Sequence, residues 1–250
     1  MHTDRHTSRG VYTMFWILTN ISTISMKYIK QDESISIVVV GKFYPIYIHA
    51  KWMYDFGIIT ESEFSEIDKN STTIQNDISK FYINKLFEFS CFPNRIQVIT
   101  HDITLSSRII RLIKDILTIN KADEFTAVGI NADMDFTFFN DEDSYNFGKY
   151  FTKLDIWDEY LNAPRVLSMS FTDHVPSIEE ACYGNPKRTL LIKSIGENKG
   201  IPVVQIVCNN HFNASKSEDI NKILDEAENY YANFRTTYNR LINNIDEKGF

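Results

Sequence analysis

The chain has 250 residues, 43% of them hydrophobic, and a formal net charge of −7. That length and apolar content suffice for one sizeable core, while the negative charge and the lack of a Lys/Arg stripe interleaved with aromatics argue against general nucleic-acid binding. The three cysteines, Cys91, Cys182 and Cys208, form no CxxC pair, so spacing suggests neither a zinc knuckle nor a disulfide framework and fits buried free thiols in a reducing cytoplasm.

In chain order, residues 1–25 open with basic residues and an apolar patch from Val11 to Ile24 that is interrupted by Thr13, Thr19, Asn20, Ser22 and Thr23. This falls short of the roughly 20 apolar residues that span a bilayer, and no membrane span is expected. The segment is expected to be a peripheral extension or an extra edge strand, and residues 26–250 to form a single α+β domain. "SISIVVVG" (34–41) is β-branched and almost continuously apolar, as in a central strand covered on both faces. "AKWMYDFG" (50–57) reads as a short helix ended by Gly57, and "TESEFSEI" (60–67) as another, with Thr60 as cap and Glu63 closing a capping box. Residues 78–90 and 94–100 form a hairpin around "CFPN" on this reading.

The stretch 106–120 is an amphipathic helix, because Ile109, Leu112, Ile113, Ile116 and Leu117 form one stripe while Arg108, Arg111, Lys114 and Asp115 lie outside it. A strand over 125–139 follows, then a helix over 144–151 preceded by Asp141, Glu142 and Asp143, and a second helical stretch, "IWDEYL". Strands at 165–174, 188–196 and 202–212 have short connections that favour an antiparallel meander. From 217 to 247 there is neither Gly nor Pro, and Ile220, Leu224, Ala227, Tyr231, Phe234, Tyr238, Leu241 and Ile245 alternate spacings of four and three. This predicts one long helix of about 45 Å with a heptad seam. The fold class is therefore α+β: a mainly antiparallel sheet with packed helices and a long C-terminal helix.

"IVVVGKFYP", "KWMYDFGIITESE", "NRIQVIT" before an amphipathic helix, and "AVGIN" resemble an uncharacterised group of bacterial proteins with I-V-x-x-G-x-F-x-P, R-x-Q-V-x-T and G-I-N motifs. The resemblance covers roughly residues 35–212. It implies a bacterial, cytoplasmic α+β scaffold and carries over no catalytic residue.

Nucleotide binding of the standard types is disfavoured, because "GKFYP" has one Gly and sets Pro where a phosphate loop would open a helix. Gly41 reads instead as a tight exit from the strand. Asp133 and Asp135, two residues apart, share one strand face, as paired carboxylates must to hold Mg²⁺. His101–Asp102 reads as a turn with an Asp cap, and His174 and His211, at strand ends, could meet with Asp173 or Cys208. Two functions follow. The first is a non-enzymatic interaction or sensor subunit of a bacterial multiprotein system, such as phage defence, that needs no cofactor and docks a protein partner or a second copy through Phe234, Tyr238, Leu241 and Ile245. The alternative is a metal-dependent enzyme acting on phosphate esters through Asp133 and Asp135.

Overall fold

Strand β1 (Tyr28–Gly41) occupies the middle of a nine-stranded antiparallel sheet in a computed structural model that describes residues 28–83, 86–120, 124–157, 160–161, 165–173, 178–198 and 200–248. The expectation for residues 1–25 lies outside the described residues. The other strands are β2 (Thr73–Ile74), β3 (Ser79–Ile83), β4 (Phe87–Phe92), β5 (Arg95–Thr100), β6 (Phe125–Phe138), β7 (Ser168–Thr172), β8 (Lys187–Asn198) and β9 (Ile201–Asn213). Their order is β2-β3-β4-β5-β1-β6-β9-β8-β7. Read outward from the β1·β6 pair, this order repeats itself: each half runs strand, helix, antiparallel meander, helix. The helices are α1 (Ala50–Asp55), α2 (Glu61–Ser65), α3 (Ser106–Asn120), α4 (Asp141–Phe151), α5 (Ser217–Asp225) and α6 (Ala227–Lys248). The mixed α+β class, the antiparallel sheet and the C-terminal helical region are as the sequence implied. Among the described residues, no helix is long and apolar enough to cross a membrane.

Alternation along the strands divides the sheet into two unlike faces. Ile35, Ile37 and Val39 of β1 and Val128, Ile130 and Phe136 of β6 are essentially inaccessible and share one core with Leu112, Ile113, Leu224 and Phe234 of the helices. Phe136 shows that α4 and α6 lie on the same side, since its ring meets Phe147 at 5.5 Å and Tyr238 at 6.2 Å. The opposite face of the central strands, bearing Ser34, Ser36, Asn131 and Asp133, carries no described helix. Ser34 and Ser36 are nevertheless buried there, so the expected cover on both faces of β1 holds for its middle. Its continuous apolar run ends in Val38 and Val40, which stay only half-buried.

Local signals read from the sequence reappear in the structure. Thr60 Oγ1 accepts from Glu63 N–H while Glu63 Oε2 accepts from Thr60 N–H, forming the capping box. Gly41 packs so closely on the next chain segment that a Cβ there would lie 2.7 Å from Glu124 O. Residues 78–90, read as one strand, are two. Leu86 N–H closes a turn on Ile83 O at 3.0 Å, so β3, β4 and β5 form a meander without Gly or Pro at its first corner. Of "IWDEYL" (156–161), Ile156 and Trp157 end a 3₁₀ turn, Leu154–Trp157, Tyr160 and Leu161 are not helical, and residues 158–159 lie outside the described residues.

The C-terminal helix is also corrected. It breaks at Glu226, whose backbone N–H turns back to Lys222 and Ile223 carbonyls. The break lets Ile220, Ile223 and Leu224 pack beside α3 while Tyr231, Phe234, Tyr238 and Ile242 run along β6 and β9. Ile242, not Leu241, is the buried position of the last described turn: the stripe follows the 3.6-residue helix rather than a 3.5-residue heptad.

Candidate functional site

The helix-free face is built from alternate residues of the central strands. On β6, Ala132, Met134 and Phe136 point into the core, which sends Asn131, Asp133 and Asp135 to the other side, as the two-residue spacing required. Strand register then supplies their neighbours. Ser34 of β1 stands opposite Asp133 and Asp32 opposite Asp135, while Val207 and Gln205 of β9 flank them on the other side. An irregularity at Gln31, between Lys30 and Asp32, shifts the pairing so that Asp32 joins the open face while Glu33 turns inward and meets Arg235 at 3.4 Å.

The polar groups form a fixed ladder. Ser34 Oγ donates to Asp133 Oδ1 at 2.7 Å and Gln205 Nε2 donates to Asp133 Oδ2 at 3.3 Å. Asn131 Nδ2 donates to Ser36 Oγ at 3.2 Å. At the rim, His101 Nδ1 lies 2.7 Å from Asp32 Oδ2. One oxygen of Asp135 is enclosed with no hydrogen-bond partner among the described residues, and so is the amide oxygen of Asn131. Burial raises the pKa of Asp133, and the charges of Asp135 and Asp32 add to that rise against the Ser34 hydrogen bond. Burial likewise raises Asp135, again with Asp32 adding to it. The positive charge of His101 acts against the rise at both aspartates and that of Lys193 against it at Asp135, but burial outweighs them.

As a metal site the arrangement is partial. Both oxygens of Asp133 are already oriented by protein donors, and among the described residues no group of three or more His, Cys, Asp or Glu side chains converges as a metal-binding set. Asp32 stands opposite Asp135 in register, but both its oxygens also have partners, Glu33 N–H at 2.9 Å and His101 Nδ1 at 2.7 Å.

Other expected residues take different places. Asp102 caps the 3₁₀ turn Ile103–Leu105, its Oδ1 accepting from Thr104 N–H at 2.9 Å, as the turn reading required. His211 Nε2 lies 3.2 Å from Asn213 Oδ1, whereas His174 lies outside the described residues, so the His174–His211 pairing does too. Cys91 and Cys208 are buried free thiols, but Cys182 is exposed on the turn before β8, correcting the expectation of three buried thiols. Phe234 and Tyr238, read as docking residues, are 3% and 4% exposed because α6 lays them on its own sheet. Leu241 is half-buried, and the side chain of Ile245 lies outside the described residues.

Sequence reasoning missed Asp32, His101 and Gln205 as partners of the aspartate pair. Asp32 precedes the apolar run of β1 and reads as a strand entrance; only the β1·β6 register brings it beside Asp135. Comparison with protein-family models and with curated proteins gives no match for this chain.

Proposed function

We propose that the protein is a non-enzymatic interaction subunit and that its recognition surface is the helix-free face of the sheet. One observation carries this reading: strand register sets Ser36, Asn131, Asn209 and Thr189 side by side on one face, Ser36 buried, Asn131 and Thr189 half-buried and Asn209 exposed, with the carboxylates of Asp133 and Asp135 one step away. Asn131, held by its hydrogen bond to Ser36, loses little entropy on binding, which favours recognition. The charge calls for a partner protein that brings a Lys or Arg to the acidic end, where it would satisfy the open oxygen of Asp135. Burial of Phe234 and Tyr238 moves the docking surface from the C-terminal helix to the sheet.

Photo-crosslinking in the native host tests this. A photoreactive phenylalanine at exposed Asn209 is expected to give a discrete protein adduct, and one at exposed Asn239 of α6 none. An adduct from position 239 with none from 209 would return the interface to the helix.

A second reading is favoured by the adjacency of Asp32 to Asp135: a Mg²⁺-dependent enzyme acting on phosphate esters. Titration of the chain with Mg²⁺ separates it from the first. Saturable heat that vanishes in Asp135→Asn supports the enzyme, and its absence leaves the carboxylates to a protein partner.

A further inference from the structure

On the helix-bearing side, between β8, β9 and α6, a cleft of about 120 Å³ opens to solvent. Leu190, Cys208 and Phe234 line its floor, and Tyr230 and Thr237 stand at its rim beside Arg188. Register explains how an arginine comes to face this layer. Arg188 pairs with Asn210, which pairs with the core residue Ile130, so alternation directs all three to the side of the helices.

Asn210 is 3% exposed and fully committed: its Nδ2 donates to Ile130 O at 3.2 Å and its Oδ1 accepts from Arg188 Nε at 3.1 Å. The guanidinium is thereby held through one nitrogen, and its two terminal nitrogens have no hydrogen-bond partner among the described residues. Four other arginines are matched with acids, Arg108 with Glu63, Arg111 with Asp115, Arg165 with Asp141 and Arg235 with Glu33, whereas Arg95 lies over the Phe92 ring. Asp173 and Glu226 are near the cleft, yet neither forms an ion pair with Arg188. Arg188 is exposed and solvated, yet its anchored guanidinium stands beside a largely apolar floor with no ion pair among the described residues, where an oxyanion would gain a charge-assisted partner.

We propose that this cleft binds a small oxyanion, a carboxylate or phosphoryl group on a molecule of few heavy atoms. A guanidinium anchored at Nε presents its remaining N–H groups as a fork that matches two oxygens of such a group. The hydroxyls of Tyr230 and Thr237 complete the polar shell, and Phe234 and Leu190 receive the apolar remainder. The volume is well below the ~300–1,000 Å³ of pockets that enclose drug-sized ligands, so a nucleotide is excluded. This site lies across the sheet from the recognition face and stands independently of it.

Isothermal titration of the full chain with inorganic phosphate and, separately, with benzoate tests the proposal. At least one probe is expected to saturate a single site and to bind Arg188→Gln about tenfold or more weakly. Saturation by phosphate alone or by benzoate alone identifies which oxyanion the fork prefers. Thr237→Phe, which fills the cleft from an exposed position, is expected to block the same binding with Arg188 intact and covers the case in which Arg188→Gln folds poorly. The proposal fails if neither probe saturates, or if Thr237→Phe and a folded Arg188→Gln both bind as wild type does.

Discussion

Tyr238 is where the difference between a docking helix and a core helix can be measured. Its side chain is 4% exposed, and its ring lies 6.2 Å from that of Phe136 and 6.4 Å from that of Phe234. Truncating a buried aromatic residue costs about 3–5 kcal/mol. Glu at this position loses that packing and also buries a carboxyl, which costs several kcal/mol more unless it is protonated. The sum is a large part of the ~5–15 kcal/mol that holds a typical domain folded. Tyr238→Glu is therefore expected to aggregate or to show no cooperative melt. Tyr238→Phe should do the opposite. It keeps the ring and removes a hydroxyl that is enclosed without a hydrogen-bond partner, relieving a penalty of about 1 kcal/mol or more. For a chain of this size that corresponds to a rise of about 2–4 °C in Tm. Thermal melts by circular dichroism, with light scattering for oligomeric state, measure both variants. A soluble Tyr238→Glu protein with a wild-type melt would refute the core assignment and restore the helix as an interface.

Three further outcomes follow from the same geometry. Arg108 Nε and Nη2 donate to the two oxygens of Glu63 at 2.7 and 2.9 Å; burial acts to raise the Glu63 pKa, but Arg108 and the Thr60 N–H outweigh it and hold the carboxyl below its ordinary 4.5. The folded value is the lower one, so this stabilisation is present above pH 4.5 and lost as pH falls through the folded pKa. Glu63→Gln should cost about 1–3 kcal/mol at neutral pH and flatten the acid limb of a Tm–pH curve, and an unchanged limb would contradict this. Asp133 and Asp135 have the reverse sign: raised above 3.8 in the folded state, they make stability fall as pH rises through their folded pKa values. Asp133→Asn with Asp135→Asn should remove that fall and leave stability at neutral pH within about 1 kcal/mol of wild type, whereas a loss several times larger in a denaturant titration would make the carboxylates structural. Gly41→Ala drives a Cβ to 2.7 Å from Glu124 O and should cost about 1–3 kcal/mol; a neutral denaturation midpoint would show that the 124–125 backbone yields.

The parts legible in the sequence are those whose cause lies within a few residues. The α3 stripe, the Thr60–Glu63 capping box, the Asp102 cap and the shared face of Asp133 and Asp135 each follow from helix or strand periodicity or from a side chain reaching its own backbone. Misreadings fall where the local signal is weak. The β3–β4 corner has neither Gly nor Pro, and the break at Glu226 interrupts a helical pattern that runs on without Gly or Pro on either side.

Periodicity groups residues onto faces, but it does not say which face the helices will cover or which strand will lie alongside. Backbone N–H and C=O groups are alike at nearly every residue, so a strand's hydrogen bonds do not name their partner. Partner and register are chosen by the packing of the whole core, which is why Ser34 meets Asp133 across 99 residues and His101 meets Asp32 across 69. The sequence alone determined the α+β class, the principal elements and the paired aspartates. The tertiary structure alone decided that β1 and β6 would join two similar halves, that one sheet face would stay free of described helices, that Asp32 would complete the acidic patch and that Arg188 would face the helix layer without an ion pair among the described residues, because each of these depends on which distant strands the core brings together.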